Sequence, residues 1–252
     1  MKKNSIKFIG TFALIAVIML PSISFAEGAD NAKKQNSAGT QFCVNLEKRS
    51  GEITGKIDDK KDKLEIRRHD RLNKKGAERA ERDARLAEHR QDIDGRRGDN
   101  VTKLESKATT DAQKAAVSEF KSTLSTALST RRSAVDAAIS AFRSGVDGVT
   151  GNRNTVVDTA VANLKAARQA AFDKAKADCT AGVDPVTAKA TFDASMKAAQ
   201  DAFQSAKAGF VKKDDVSTLS ANRKAAIEKA MNDFKATMDA AQAKLRAAFP
   251  QK

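Results

Sequence analysis

Two cysteines, Cys43 and Cys179, are the residues of this sequence whose placement points most clearly to covalent chemistry. Cys179 lies in "KAKADCTAGVDP", a stretch with the composition of a helix end, a turn and the start of another helix. The two thiols could form an intramolecular disulfide, link two molecules or stay free. We predict the intramolecular disulfide, because the helices described next bring the two cysteines together.

A long charged helix follows Cys43. Of the 62 residues over 46–107, 34 are charged, with 19 bases and 15 acids, and large apolar residues form only a thin stripe. Five acids precede a base by four residues, the orientation that stabilises an isolated helix. Those pairs are Asp59/Lys63, Asp70/Lys74, Glu78/Arg82, Glu81/Arg85 and Asp92/Arg96. The segment predicts a solvated helix whose stripe is wide enough for one partner helix.

The turn after this helix is marked by Thr110 and Gln113, which fit a capping box. The midpoint between the two cysteines is Asp111, at the same place in the chain. Two antiparallel helices of equal length that fold here bring their far ends together. We therefore predict a long helical hairpin over residues 43–179, with a turn near 108–113, closed by the disulfide in an oxidising compartment.

The second helix is built from 11-residue units that begin at residues 122, 133, 144, 155 and 166. Eleven residues over three turns is a period close to that of a straight helix. The apolar stripe keeps its phase across the glycine-rich unit "SGVDGVTGNRN". We therefore predict one continuous helix over about 110–177. In its pattern, the array resembles the 11-residue, Ala- and Lys-rich repeats of apolipoprotein-like and late-embryogenesis-abundant proteins.

The last third of the chain, residues 180–252, repeats itself: "FDASMKAAQDAF" from Phe192 matches "FKATMDAAQAKL" from Phe234. Asp184 before Pro185 predicts a helix start. We predict two similar helices, over 185–210 and about 216–249, that pack as an antiparallel hairpin. The predicted fold class is all-α, with a long coiled-coil-like hairpin and a C-terminal helical hairpin.

The N-terminus has the three parts of a bacterial secretory signal peptide. A basic start is followed by a 13-residue apolar core, which is too short to span a membrane as a helix, and small residues precede Ala26. We predict a signal peptide over 1–26, cleavage between Ala26 and Glu27, and export to the periplasm, the cell surface or the exterior. Residues 27–42 are polar and aperiodic, and predict a disordered tether.

The sequence points to no catalytic or metal site. His69 and His89 are 20 residues apart, which places them on different sides of a helix, so they cannot share a metal ion. Nucleotide-binding loops, zinc-ligand spacings and nucleophile elbows are absent. We predict no catalytic residue, no metal and no cofactor, and we expect that the protein is not an enzyme.

Net charge limits the choice of partner. The formal charge of +14 becomes +11 when the three lysines of the signal peptide are removed, which favours an anionic envelope polymer or membrane surface. A protein partner and an oligomer stay open. The chain has no Trp and no Tyr, so it lacks most of the aromatic platforms that stack on bases, and sequence-specific nucleic-acid binding is disfavoured.

Three functions fit these features. The first is a non-catalytic helical scaffold, spacer or binding protein of the bacterial cell envelope. The second is a periplasmic holdase-type chaperone, which needs an oligomer that encloses a cavity. The third is an amphipathic binder of anionic membrane or wall polymers through the 11-residue array.

The signal-peptide prediction has a direct test. Expression of the full chain in a bacterial host should yield an exported protein whose N-terminal sequencing begins at Glu27. A chain that starts at Met1 in the membrane fraction would contradict cleavage, and a different first residue would move the site.

Overall fold

The computed structural model describes residues 32–208 and 214–249, with side chains from Gln41 onward. It contains four helices, α1 (Ala32–Lys107), α2 (Asp111–Thr180), α3 (Pro185–Ala208) and α4 (Asp214–Ala248), and no strand within the described ranges. The predicted all-α class is confirmed. The predicted signal peptide and the cleavage site at Ala26 and Glu27 lie outside the described residues.

Helices α1 and α2 form the predicted long hairpin. The chain turns at Ala108–Thr110, and Thr110 and Gln113 form the predicted capping box: the Gln113 backbone N–H donates to Thr110 Oγ1 at 3.2 Å, and the Thr110 N–H donates to Gln113 Oε1 at 3.2 Å. Helix α2 has 70 residues, so the hairpin extends over roughly 105 Å at 1.5 Å per residue. The glycine-rich unit is helical throughout, as its preserved phase indicated.

Helix α1 begins earlier than the sequence pattern suggested. The predicted tether over 27–42 is helical from Ala32, and the prediction is corrected for that part. The reason is Phe42, which is 3% exposed and packs against the ring of Phe192 with centroids 5.4 Å apart. A single aromatic residue gives no periodic signal in a sequence, but it anchors the first turns of the helix to the core.

The two C-terminal helices are present, but the structure corrects the partner of each. Both α3 and α4 pack on α2, and no contact joins α3 to α4 among the described residues. Helix α3 follows the second half of α2, and α4 follows the first half, where Lys244 Nζ lies 2.6 Å from Glu119 Oε1. Both run antiparallel to α2, one after the other, instead of pairing as a hairpin. The physical reason is that the apolar stripe of α2 needs cover along its whole length, and the charged α1 supplies too little.

The apolar core forms three clusters along α2. The cluster at the disulfide end joins α1, α2 and α3 around Phe42, Phe172 and Phe192. The next one joins the same helices around Ile57, Leu164 and Phe203. The third lies near the turn and joins only α2 and α4, with Ala127, Met238 and Ala241 at its centre. The molecule is therefore a three-helix bundle at the disulfide end, and becomes more open toward the turn.

Gly145 of α2 is required by the approach of α4. A Cβ atom built at Gly145 would lie 2.5 Å from Cδ2 of Leu219, whereas one at Gly148 or Gly151 would have no atom within 4 Å. The glycine-rich unit thus contains one glycine that makes room for α4 and two that do not.

Substitution of these glycines should separate the two roles. We expect Gly148→Ala to raise the free energy of unfolding by about 1 kcal/mol, because alanine is the better helix former. Gly145→Ala should gain less than this, since the Leu219 side chain must turn away from the added methyl group. Urea unfolding followed by circular dichroism measures both. In a Leu219→Ala background the clash is gone, and Gly145→Ala should recover the gain; equal effects of the two glycine substitutions in the natural background would contradict this packing.

Candidate functional site

The predicted disulfide is present between Cys43 and Cys179, with Cα atoms 5.9 Å apart. Cys43 lies within α1, and Cys179 is the last residue but one of α2. The bond contacts the aromatic cluster of Phe42, Phe172 and Phe192. It joins the two ends of the hairpin that the turn at Ala108–Thr110 leaves free. The two sulfur atoms are bonded, so neither cysteine is a free thiol in this structure.

Arginine and aspartate side chains connect α1 to α2 in reciprocal pairs. Arg79 donates to Asp147 at 2.8 Å, while Arg143 of α2 donates back to Asp83 at 2.6 Å. The same exchange recurs eleven residues later on α1 and eleven residues earlier on α2, since the helices are antiparallel. There Arg90 donates to Asp136 at 2.7 Å, and Arg132 donates to Asp94 at 2.5 Å. Each of these arginines places two N–H groups on one carboxylate, the geometry that makes such pairs strong.

We call the whole series of α1–α2 ion pairs the charge ladder. Its further pairs are Arg68–Asp158, Lys75–Asp147, Lys121–Glu105, Lys165–Asp58 and Lys176–Glu47. On α2 the acidic members of the ladder are aspartates. These aspartates and the basic members of the ladder each recur at a fixed position in the 11-residue units. The repeat thus encodes contact with α1 as well as helix phase.

The half of the ladder that lies on α1 does not follow the acid-before-base spacing predicted for that helix. That spacing places an acid four residues before a base. Two of the predicted pairs, Glu81–Arg85 and Asp92–Arg96, do form within α1. The ladder instead uses bases that precede an acid, as in Arg79 and Asp83. The signal for the ladder on α1 is the period of α2, because three arginines and three acids of α1 also recur every eleven residues. They are Arg68, Arg79, Arg90, and Asp83, Asp94, Glu105.

Hydrogen bonding in the ladder lowers the pKa of its carboxyl groups. Hydrogen bonds from Arg79 and then Lys75 hold the pKa of Asp147 far below its usual range. Hydrogen bonds from arginine are also the largest cause of the lowered pKa at three other carboxyls. These are Asp83, Asp94 and Asp136. The ladder therefore favours the ionised form of these groups in the folded state.

A groove separates α1 from α4 in the half of the molecule near the turn. Both helices pack on α2, but in the described part of the chain no Cα atom of α1 lies within 8 Å of a Cα atom of α4. The groove has a volume of about 360 Å³. Its lining residues are Leu86, His89, Arg90, Ile93 and Arg97 of α1, Arg131, Arg132 and Val135 of α2, and Ile227 and Met231 of α4. We call it the α1–α4 groove.

Arg131 is the unusual residue of this groove. Its guanidinium carbon lies 4.4 Å above the ring of Phe234, a cation–π contact. Burial lowers the pKa of Arg131, and the positive charges of Arg97, Arg132 and Arg90 lower it further. Burial and neighbouring positive charge thus both disfavour the ionised form of Arg131 in the folded state.

The histidines fall in different surroundings. His89 lines the α1–α4 groove, whereas His69 Nδ1 lies 3.2 Å from the side-chain nitrogen of Asn73. Within the described ranges, no three side chains of His, Cys, Asp or Glu come together as a metal site would require. The helices of the described ranges include none long and apolar enough to cross a membrane.

Comparison with known proteins identifies no relative. The sequence matches no family model, no curated protein matches it, and no solved structure matches the fold.

The lowered pKa values predict that acid destabilises the ladder. A carboxyl whose pKa is lower in the folded state contributes stability above the unfolded pKa of about 4, and loses it as the pH falls through the folded value. We expect the melting temperature to fall between about pH 5 and pH 2. Asp147→Asn should lower it at pH 7 and weaken its dependence on pH. Circular dichroism melts at several pH values measure both effects.

Asp239→Asn is the matched control for the ladder. Asp239 pairs within α4 with Lys235 at 3.6 Å, outside the ladder. Its removal should leave the pH dependence as it is in the natural protein. Parallel curves for the natural protein and Asp147→Asn would mean that the ladder does not set acid stability.

Proposed function

We propose that this protein is a non-catalytic, exported scaffold or spacer of the bacterial cell envelope. The observation that supports the proposal most is the length over which one arrangement of helices persists. Helix α2 is accompanied by α1 on one side and by α3 and then α4 on another, over roughly 105 Å. A single-chain rod of this length separates two attachment points or presents a long surface.

The means of holding the rod straight supports the same role. The period of eleven residues is close to that of an unsupercoiled helix, so the contact face does not wind around the partner. The charge ladder repeats with this period, and it keeps α1 beside α2 where large apolar residues are scarce. The described ranges contain no fully buried polar residue, as expected of a rod held together by apolar clusters and surface ion pairs.

Export is part of the proposal. The disulfide between Cys43 and Cys179 fits an oxidising compartment, since such bonds are rare in the cytosol of most organisms. The predicted signal peptide over 1–26 gives the route. The formal charge of +11 expected after cleavage favours contact with anionic components of the envelope.

The two other functions gain less support. A membrane binder that uses the 11-residue array would need a free apolar face on α2. The apolar side chains of the array, among them Val161, Leu164 and Phe172, are instead buried against α1 and α3. A holdase would need an enclosed cavity formed by several copies, and the grooves of the single chain are open.

Small-angle X-ray scattering with light scattering tests the scaffold proposal. We expect a monomer whose maximum dimension is about 100 Å or more, with the pair-distance profile of a rod. The oxidised protein is the sample, and far-UV circular dichroism establishes that it is helical. A compact particle would contradict the scaffold role. A stable ring or cage of several copies would favour the holdase.

A further inference from the structure

The middle of the rod has no buried core. Residues 58–100 of α1 and residues 139–159 of α2, all within the described chain, include no buried residue. In α2 the buried residues Ala138 and Ala160 flank this segment. Each half of the rod therefore has a core of its own, and the segment between the halves is held by half-buried contacts and surface ion pairs.

Three glycines lie at one level of this middle segment. The ladder pair Arg79–Asp147 lies next to them on both helices. Gly76 precedes Arg79 on α1, and Gly148 and Gly151 follow Asp147 on α2. Because the two helices are antiparallel, all three glycines are at the same height along the rod.

Packing requires none of these three glycines. A Cβ atom built at any of them has no atom within 4 Å, and none of them has a positive φ. Glycine is the poorest helix former after proline, because its backbone loses the most freedom in a helix. The three glycines therefore weaken α1 and α2 at one place.

Two threonines act on the same turns of α2. Thr150 Oγ1 donates to the carbonyl oxygen of Val146 at 2.7 Å, and Thr155 Oγ1 donates to that of Gly151 at 3.2 Å. Such bonds compete for carbonyl groups that also accept the helical N–H groups, and they often bend a helix.

The helix that covers α2 also changes at this level. Ala206 of α3 and Val157 of α2 both pack against the apolar cluster around Phe203. Leu219 of α4 lies against Gly145. Neither α3 nor α4 runs along the whole middle segment, so neither of them stiffens α2 across it.

From these observations we infer that the rod bends reversibly at the level of Gly76, Gly148 and Gly151, which we call the mid-rod hinge. The two halves, each with its own core, move as stiff bodies. The ladder pair beside the hinge, Arg79–Asp147, is partly exposed, and such pairs break and re-form at little cost. The hinge goes beyond the scaffold role and does not depend on it; in a scaffold it allows the two ends to take different angles.

The closed ends of the hairpin limit the direction of bending. Helices α1 and α2 are joined by the turn at Ala108–Thr110 and by the bond between Cys43 and Cys179. Bending within the plane of the two helices requires one helix to slide past the other, and these two joints oppose the slide. The hinge therefore bends out of that plane.

Hydrogen exchange followed by mass spectrometry tests the local weakness. In the oxidised protein we expect the amides of residues 146–157 to exchange at least tenfold faster than those of residues 117–138 and 160–175 of the same helix. The reason is that local opening is easiest where few apolar contacts are buried. Uniform protection along α2 would overturn the inference.

Double electron–electron resonance tests the bending itself. Spin labels on noncanonical amino acids at the exposed positions Ser125 and Ala166 leave the disulfide intact. These positions lie roughly 62 Å apart along a straight α2. We expect a distance distribution that extends at least about 5 Å below the value for the straight helix, because the hinge lies between the labels. A single narrow distribution at the straight-helix value would contradict the hinge.

Two pairs of glycine substitutions provide the variant and its control. Gly148→Ala with Gly151→Ala should narrow the distance distribution and slow the exchange of residues 146–157 about tenfold, since alanine is the better helix former. Gly95→Ala with Gly98→Ala adds the same methyl groups to α1 outside the hinge, also where no atom lies within 4 Å. This control should leave both measurements as in the natural protein, and circular dichroism establishes that each variant is helical. Equal effects of the two pairs would assign the motion to helix stability in general and overturn the hinge.

Discussion

The register of α1 against α2 is the constraint on which the rest of the structure depends. The capped turn at Ala108–Thr110 fixes it at one end, and the disulfide fixes it at the other. The charge ladder alone does not define it, because a slide by one 11-residue unit would bring Asp83 opposite Arg132 and Asp94 opposite Lys121. The disulfide closes a loop of sequence separation 136, worth about 5 kcal/mol in the chain-entropy model, and it excludes such slides.

Charge gives this hairpin specificity where the apolar core is thin. Exposed ion pairs add little to stability one by one, but a repeated set of two-sided arginine–aspartate pairs disfavours other arrangements of the helices. The apolar contacts of α2 come mainly from α3 and α4, which pack along α2 beside α1. One helix therefore has two kinds of partner: α1 holds it largely by charge, and α3 and α4 hold it by packing.

The bundle is more open toward the turn because α1 contacts α2 mainly by charge, whereas α3 and α4 contact it by apolar packing. Near the disulfide, α1 carries Phe42, Leu46 and Ile57, and these allow a shared core with α2 and α3. Further along, α1 has few large apolar residues and many arginines, so it contacts α2 mainly through the ladder and its backbone stays apart from that of α4. The α1–α4 groove is the result. The molecule therefore has a closed end at the disulfide and a more open end near the turn.

The all-α class, the long hairpin, its turn and the disulfide could be predicted from the sequence, because capping, helical period and cysteine position are local or near-symmetric signals. Thr110 with Gln113, and the midpoint at Asp111, were enough for these. The partners of α3 and α4, the start of α1 at Ala32 and the α1–α4 groove depend on how the whole chain packs. The residues of two helices with similar apolar stripes do not by themselves show whether these helices pack on each other or on a third helix. The choice depends on how much apolar surface α2 leaves uncovered, which is a property of the whole assembly.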